Sequence, residues 1–247
     1  LDTVVVPIGG GGLIGGISVA LADRLPDARV VGVQAEGAAT VARSLEKGHP
    51  VDLETPRTMA DGIATGAVSE LTLSLIAAGV DEVVTVDDDA IAESVLVLLE
   101  RAKQLVEGAG AASVAALLSG AVDVAPDETV VALLCGGNID MAMLGTVLTH
   151  AMADRDQLLH LRIHIQDRPG TMGEIATLIG SQGANIRTVR HDRDAEDLRV
   201  GEAYLVFRVI TSGAEHAADV IEAVGGAGYR VERARGAAPL TSGARGP

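Results

Sequence analysis

Apolar positions in the first half of the chain alternate between two periods. Continuous runs at Thr3 to Pro7, Arg29 to Gln34, Asp81 to Val86 and Val130 to Leu134 predict buried strands. Between them the spacing turns helical: Leu13, Ile14, Ile17, Leu21 and Leu25 form one stripe. Further helices are expected around Ser69 to Ala78, Ala90 to Leu105, Ala111 to Ser119 and Met141 to Met152. Strands apolar on both faces and separated by helices pack as a mostly parallel sheet flanked by helices, so this part reads as α/β. Asp87-Asp88-Asp89 offers an N-cap and first-turn acids to the helix after it, which accounts for these acids without any chemistry.

Past the polar stretch Ala153-Asp154-Arg155-Asp156-Gln157 the pattern changes. Leu159 to Ile165 alternates apolar and polar residues, Asp167-Arg168-Pro169-Gly170 is a turn, and Met172, Ile175, Ala176 and Ile179 share a helical face. Asn185 to Arg190, Ala203 to Val209, a helix near Ala214 to Val224, and Tyr229 to Glu232 complete the order βαββαβ, an α+β ferredoxin-like unit. The expected domains are therefore residues 1–153 and 154–236, followed by a small, polar, disordered tail over 237–247.

Composition narrows the function classes. No apolar stretch of roughly 18 residues is uncharged and no leader pattern opens the chain, so neither a membrane span nor a signal peptide is expected. With 34 acidic against 19 basic residues the net charge is −15, which repels a nucleic-acid partner. Cys135 is the single cysteine; an internal disulfide and a multi-thiolate metal site are excluded, and a reducing, cytoplasmic setting is expected.

The chemistry starts at Gly9 to Gly12, set between the first strand and the first helix. Without Cβ atoms such a loop can point several N–H groups at one phosphate, and the positive end of the following helix adds to the attraction. A phosphorylated cofactor is the first inference. Gly10-Gly11-Gly12-Leu13-Ile14-Gly15 also fits a dinucleotide fingerprint, with Glu36 placed where a ribose-binding acid would stand. That fingerprint leaves two further loops unexplained, Met59-Ala60-Asp61-Gly62-Ile63 and Cys135-Gly136-Gly137-Asn138.

Val-Pro-Ile-Gly-Gly-Gly-Gly-Leu at 6 to 13, Ala-Asp-Gly-Ile-Ala at 60 to 64, Glu-Gly-Ala-Gly-Ala-Ala at 107 to 112 and Cys-Gly-Gly-Asn-Ile-Asp at 135 to 140 resemble one family. It is the threonine dehydratase and serine racemase branch of the pyridoxal-phosphate enzymes, with the tryptophan-synthase-β-like large domain (fold type II). Residues 158 to 234 resemble an ACT domain, a small amino-acid-sensing module. The resemblance implies that Gly9, Gly10, Gly11 and Gly12, with Leu13 close by, bind the phosphate of pyridoxal 5'-phosphate. It implies that Gly62 passes the Schiff-base side of the cofactor, where a Cβ would obstruct it, and that Glu107 lines the pocket near the ring. Cys135 stands where the family usually has a serine facing the pyridine nitrogen; a neutral thiol makes a weaker version of that contact. On residue type, Glu107 could equally be a helix cap and Cys135 a buried strand end.

The largest departure from the family is a missing lysine. The family's Schiff-base lysine precedes the glycine loop, whereas Lys47 and Lys103 both follow it in surface contexts. The chain is accordingly expected to be the C-terminal part of a longer enzyme and to be inactive by itself, with no catalytic residue of its own. For the whole enzyme the resemblance implies α,β-elimination from L-threonine, and from L-serine, in isoleucine biosynthesis or threonine catabolism. A small amino acid is expected to regulate it between paired ACT domains of a homo-oligomer, contacting Asp167, Pro169, Gly170, Asn185 and Ile186. Metal ligation is not expected, because Gln34 and Thr40 stand where metal-binding members carry carboxylates. His160 and His164 share a strand face without a third ligand and read as alternation in an exposed strand. A racemase, a non-catalytic amino-acid-binding regulatory protein and a nicotinamide-dependent dehydrogenase carrying an ACT domain stay open as alternatives.

Overall fold

Val4, Val5 and Val6 lie side by side in strand β1 (Thr3–Pro7) and alternate between two apolar layers, which fixes the architecture of the first unit. The structure, a computed structural model, describes residues 1–234; the tail expected over 237–247 lies outside the described residues. β1 pairs in parallel with β2 (Arg29–Ala35) and β4 (Val130–Ala132), and β2 with β3 (Glu82–Val86), giving the sheet order β3-β2-β1-β4. Helices α1 (Gly12–Arg24), α2 (Thr40–Lys47) and α3 (Glu70–Gly79) cover one face, burying Ile14, Val41, Leu73 and Ile76 against Val4, Val6 and Ile8. On the other face α4 (Asp88–Val97) and the alanine-rich α5 (Gly108–Leu118) pack Ile91, Ala112 and Ala115 on Val5, Val31 and Val33. Small side chains on α5 let its backbone approach the sheet closely, which brings the start of that helix to the ends of the strands.

Two elements differ from their sequence-based expectation. The helix expected over Ala90 to Leu105 stops at Val97, widens into a π-helical turn at Leu98–Ala102, and ends at Lys103 with φ 58°. This left-handed residue reverses the chain, so that Val106 enters the core beside Leu98 and Ala111. β4 is also shorter than expected: after Ala132 only Leu133 N continues, donating to Val5 O at 2.9 Å, before Gly136 turns with φ 109°.

Helix α6 (Met141–Asp154) follows, and the chain divides into units Leu1–Ala151 and Met152–Pro247. In the second, β5 (Leu158–Gln166), α7 (Thr171–Ser181), β6 (Asn185–Asp192), β7 (Glu202–Ile210), α8 (Ala214–Gly226) and β8 (Arg230–Arg233) form an antiparallel sheet in the order β6-β7-β5-β8, backed by two helices. Leu161, Ile163, Leu205 and Phe207 meet Ile175, Ile179, Val220 and Val224 in its core. His160 and His164 do share a strand face, but His160 is buried and accepts from Arg208 Nε at 3.1 Å, which corrects the expectation of an exposed strand. Its ring is consumed by a cross-strand contact. Among the described residues no helix is long and apolar enough to cross a membrane.

Candidate functional site

In the parallel sheet β1 has β2 on one side and β4 on the other, and the crevice outside the carboxyl ends of strands at such a switch point is where this architecture takes ligands. Here β1 runs through Ile8 into Gly9–Gly12, and the bare loop opens α1. Gly11 adopts φ 84°, which only glycine takes without strain, and a Cβ on it would meet Ile76 Cδ1 at 2.8 Å. Cβ atoms on Gly10 and Gly12 would meet nothing within 4 Å. No side chain caps α1 and its first turn holds no acid, so its positive end is available to an outside anion.

Three other segments close around the loop. Asp88, in the first turn of α4, accepts from Thr58 Oγ1 at 2.5 Å and Met59 N at 3.1 Å and so fixes the approach to the 3-10 turn Asp61–Ile63. α5 begins at Glu107, and the segment after β4 delivers Cys135 and Gly136. Gly9, Gly10, Gly11, Gly12, Leu13, Gly62, Glu107 and Cys135 line one cavity of about 230 Å³. Pro7, Ile63 and Ala109 complete its wall; the sequence reading missed them, although each lies inside one of the glycine-bearing motifs at 6 to 13, 60 to 64 and 107 to 112.

At three of these positions the local setting is resolved further. A Cβ on Gly62 would meet Ala109 Cβ at 2.9 Å and Glu107 Oε1 at 3.1 Å, so protein packing already requires glycine there, whatever passes the cofactor side. Glu107 occupies the N-cap position of α5 yet its side chain makes no cap bond; the carboxylate lies instead against Gly62 and Gly136. Cys135 is half-buried, and its thiol is pushed above the ordinary thiol value first by burial and second by the Glu107 carboxylate.

Other candidates fall elsewhere. Lys47 ends α2 and Lys103 donates to Glu100 O at 2.6 Å, and neither lines the cavity. Glu36 is exposed at the end of β2. Gln34 is fully buried, donating to Ala38 O at 3.2 Å and accepting from Ala42 N at 3.0 Å, so its amide is spent inside the chain. In the second unit Asp167 binds Arg193 Nε at 2.7 Å, which holds its carboxyl below the usual range. Gly170 turns the chain with φ 96° into α7, next to Pro169. Asn185 and Ile186 begin β6, and the pairing of Asn185 with Ile210, itself opposite Leu158, puts them at the other end of the sheet from Asp167. Within one copy the structure does not bring these two groups together.

Similarity to known proteins gives the family. The family description "Pyridoxal-phosphate dependent enzyme" matches residues 1–136 and "ACT domain" matches residues 160–226. An L-threonine ammonia-lyase of Geobacter sulfurreducens is 39% identical over 229 residues, covering 93% of this chain and 57% of the relative. One of Thermotoga maritima is 36% identical, covering 94% and 57%. Among solved structures, the processed form of threonine deaminase isoform 2 from Solanum lycopersicum is 30% identical with a TM-score of 0.56, covering 61% of this chain and 44% of that one. Maize serine racemase is 33% identical with a TM-score of 0.54, covering 59% and 47%. The chain thus spans little more than half the length of these curated relatives. It belongs to the pyridoxal-phosphate-dependent enzymes of the threonine deaminase fold and carries an ACT domain.

Proposed function

We propose that this chain forms the phosphate- and ring-binding part of a threonine ammonia-lyase, which converts L-threonine to 2-oxobutanoate and ammonia and accepts L-serine as a second substrate. The observation that carries the reading is the uncapped N-terminus of α1 behind Gly9–Gly12, beside a cavity that the loop and Cys135 both line. The residues fit pyridoxal phosphate. The open space at Gly10 and Gly12 lets backbone N–H groups reach the phosphate, and Leu13 borders it. Cys135 offers an S–H to the pyridine nitrogen, and a neutral donor leaves that nitrogen unprotonated. Bound there, the cofactor supplies an electron sink for the pair left when an α-proton is removed. Lys47 and Lys103 lie outside the cavity, so residues 1–247 by themselves should form no ketoacid from threonine.

The ACT domain is read as a sensor for a small amino acid. Because Asp167, Pro169 and Gly170 stand at one end of its sheet and Asn185 and Ile186 at the other, one effector touching both groups has to lie between two copies, which supports a homo-oligomer. Residues 1–153 would then serve chemistry and 154–236 regulation. The single free cysteine fits a cytoplasmic setting.

Pyridoxal phosphate and pyridoxal, titrated separately into the purified chain, test the cofactor site. Saturable uptake of the phosphorylated form is expected, with pyridoxal weaker. Gly10→Asp, whose side chain enters open space, should retain the fold but weaken uptake by about tenfold or more, equivalent to about 1.4 kcal/mol, through charge repulsion. Equal uptake by Gly10→Asp would falsify the assignment of the loop.

A further inference from the structure

Glu107 has an unusual setting for an acid at a helix start. An N-cap carboxylate ordinarily accepts from the first free N–H groups of its helix, but this one makes no such bond, and among the described residues no cation or donor pairs with it. Its place is prepared by missing side chains. A Cβ on Gly136 would overlap Glu107 Oε1, and one on Gly62 would stand 3.1 Å from the same atom. Glu107 N donates to Gly136 O at 3.3 Å, and a Cβ on Gly110 would meet Cys135 O at 2.7 Å. The first turn of α5 is therefore locked against the Cys135-Gly136 backbone, and the carboxylate is held beside the residue that follows the thiol.

We propose that Glu107 is a positioning residue for Cys135: its carboxylate, seated between Gly62 and Gly136, keeps the only thiol of the chain protonated and unreactive. This rests on the cofactor reading for its purpose, since the ring nitrogen then meets an S–H donor and never a thiolate. The physics is a contest of charges. A helix N-terminus amounts to roughly half a positive charge and draws a nearby thiol toward thiolate, whereas the carboxylate at its mouth carries a full negative charge and reverses the sign of the field. Burial acts in the same direction as the carboxylate. Glu107 is the one charged group among the described residues that acts on the thiol.

Because Cys135 is the only cysteine, alkylation of the purified chain by iodoacetamide reports on it alone. The rate is followed against pH without cofactor, so the outcome does not depend on whether pyridoxal phosphate binds. The native chain should show a midpoint above the ordinary free-thiol value of about 8.5. Glu107→Gln, which preserves shape, should lower that midpoint and raise the rate at neutral pH several-fold; Glu107→Asp should stay close to native. Glu107→Ser, small and neutral, repeats the test if the glutamine variant loses its native far-UV spectrum. A native midpoint at or below the ordinary value, or an unchanged midpoint in a folded neutral variant, overturns the proposal.

Discussion

Glycine at a given position answers to different neighbours, and the distinction predicts which substitutions the chain tolerates. Gly136 combines φ 109° with a Cβ direction filled by the Glu107 carboxylate, so Gly136→Ala adds backbone strain to a displaced charge and should cost on the order of 1–3 kcal/mol. Gly12 has neither constraint: Gly12→Ala lies at the start of α1 in open space and should be neutral or stabilising by about 0.4–1 kcal/mol, while narrowing the approach to the loop. Denaturant unfolding should therefore place Gly136→Ala below the native midpoint and Gly12→Ala at or above it. Gln34 carries a comparable stake without any ligand. Its buried amide serves both Ala38 O and Ala42 N, so Gln34→Leu leaves two groups unsatisfied and should lose about 1–3 kcal/mol. An unchanged midpoint in urea would show that water replaces the amide there.

At the scale of elements, helix starts carry separable contributions. Ser69 accepts from Thr72 N at 3.1 Å and Asp87 from Ala90 N at 2.7 Å, so Ser69→Ala and Asp87→Ala should each cost about 1 kcal/mol in thermal unfolding. Asp88→Ala tests something else: by releasing Thr58 and Met59 it should loosen the approach to Gly62 and weaken cofactor uptake more than it weakens the fold. Elements of this kind were legible in the sequence because one local signal names them. The Thr3–Pro7 strand, the α1 stripe and the alternation of β5 and β7 each follow from periodicity, and the four glycine-bearing motifs located the cavity wall. The π-helical turn at Leu98–Ala102 was not legible, since Leu98 to Leu105 keeps helical spacing and only the burial of Val106 against α5 forces the chain to reverse at Lys103. Helix α2 had no assigned range because its buried side includes Thr40 and Ser44, polar residues that a hydrophobic pattern does not count. The separation of Asn185 from Asp167 needed the strand pairing itself.

For the whole molecule, charge sets the response to pH. Three carboxylates of the second unit are held below the usual range: Asp167 through Arg193, Asp197 through the Tyr204 hydroxyl, and Glu202 through Arg199 N. A carboxyl lowered in the folded state contributes stability that is complete above its unfolded value, about pH 4, and is lost as pH falls through the folded value below it. Tyr204, raised by its bond to Asp197, and Tyr229, raised by its bond to Glu174, work the other way: their contribution is complete below about pH 10 and disappears as pH rises through the folded values. The net charge of −15 opposes the acid loss at first, because protonating surplus acids relieves repulsion between them. Salt at neutral pH should raise the melting temperature for the same reason. Both tyrosines and the single phenylalanine lie in the second unit and there is no tryptophan, so near-ultraviolet circular dichroism reports that unit by itself. Its melting temperature should hold or rise slightly from pH 7 to 5 and fall below pH 4. A fall already between pH 7 and 5 overturns this account, since none of the three carboxylates takes up its proton there.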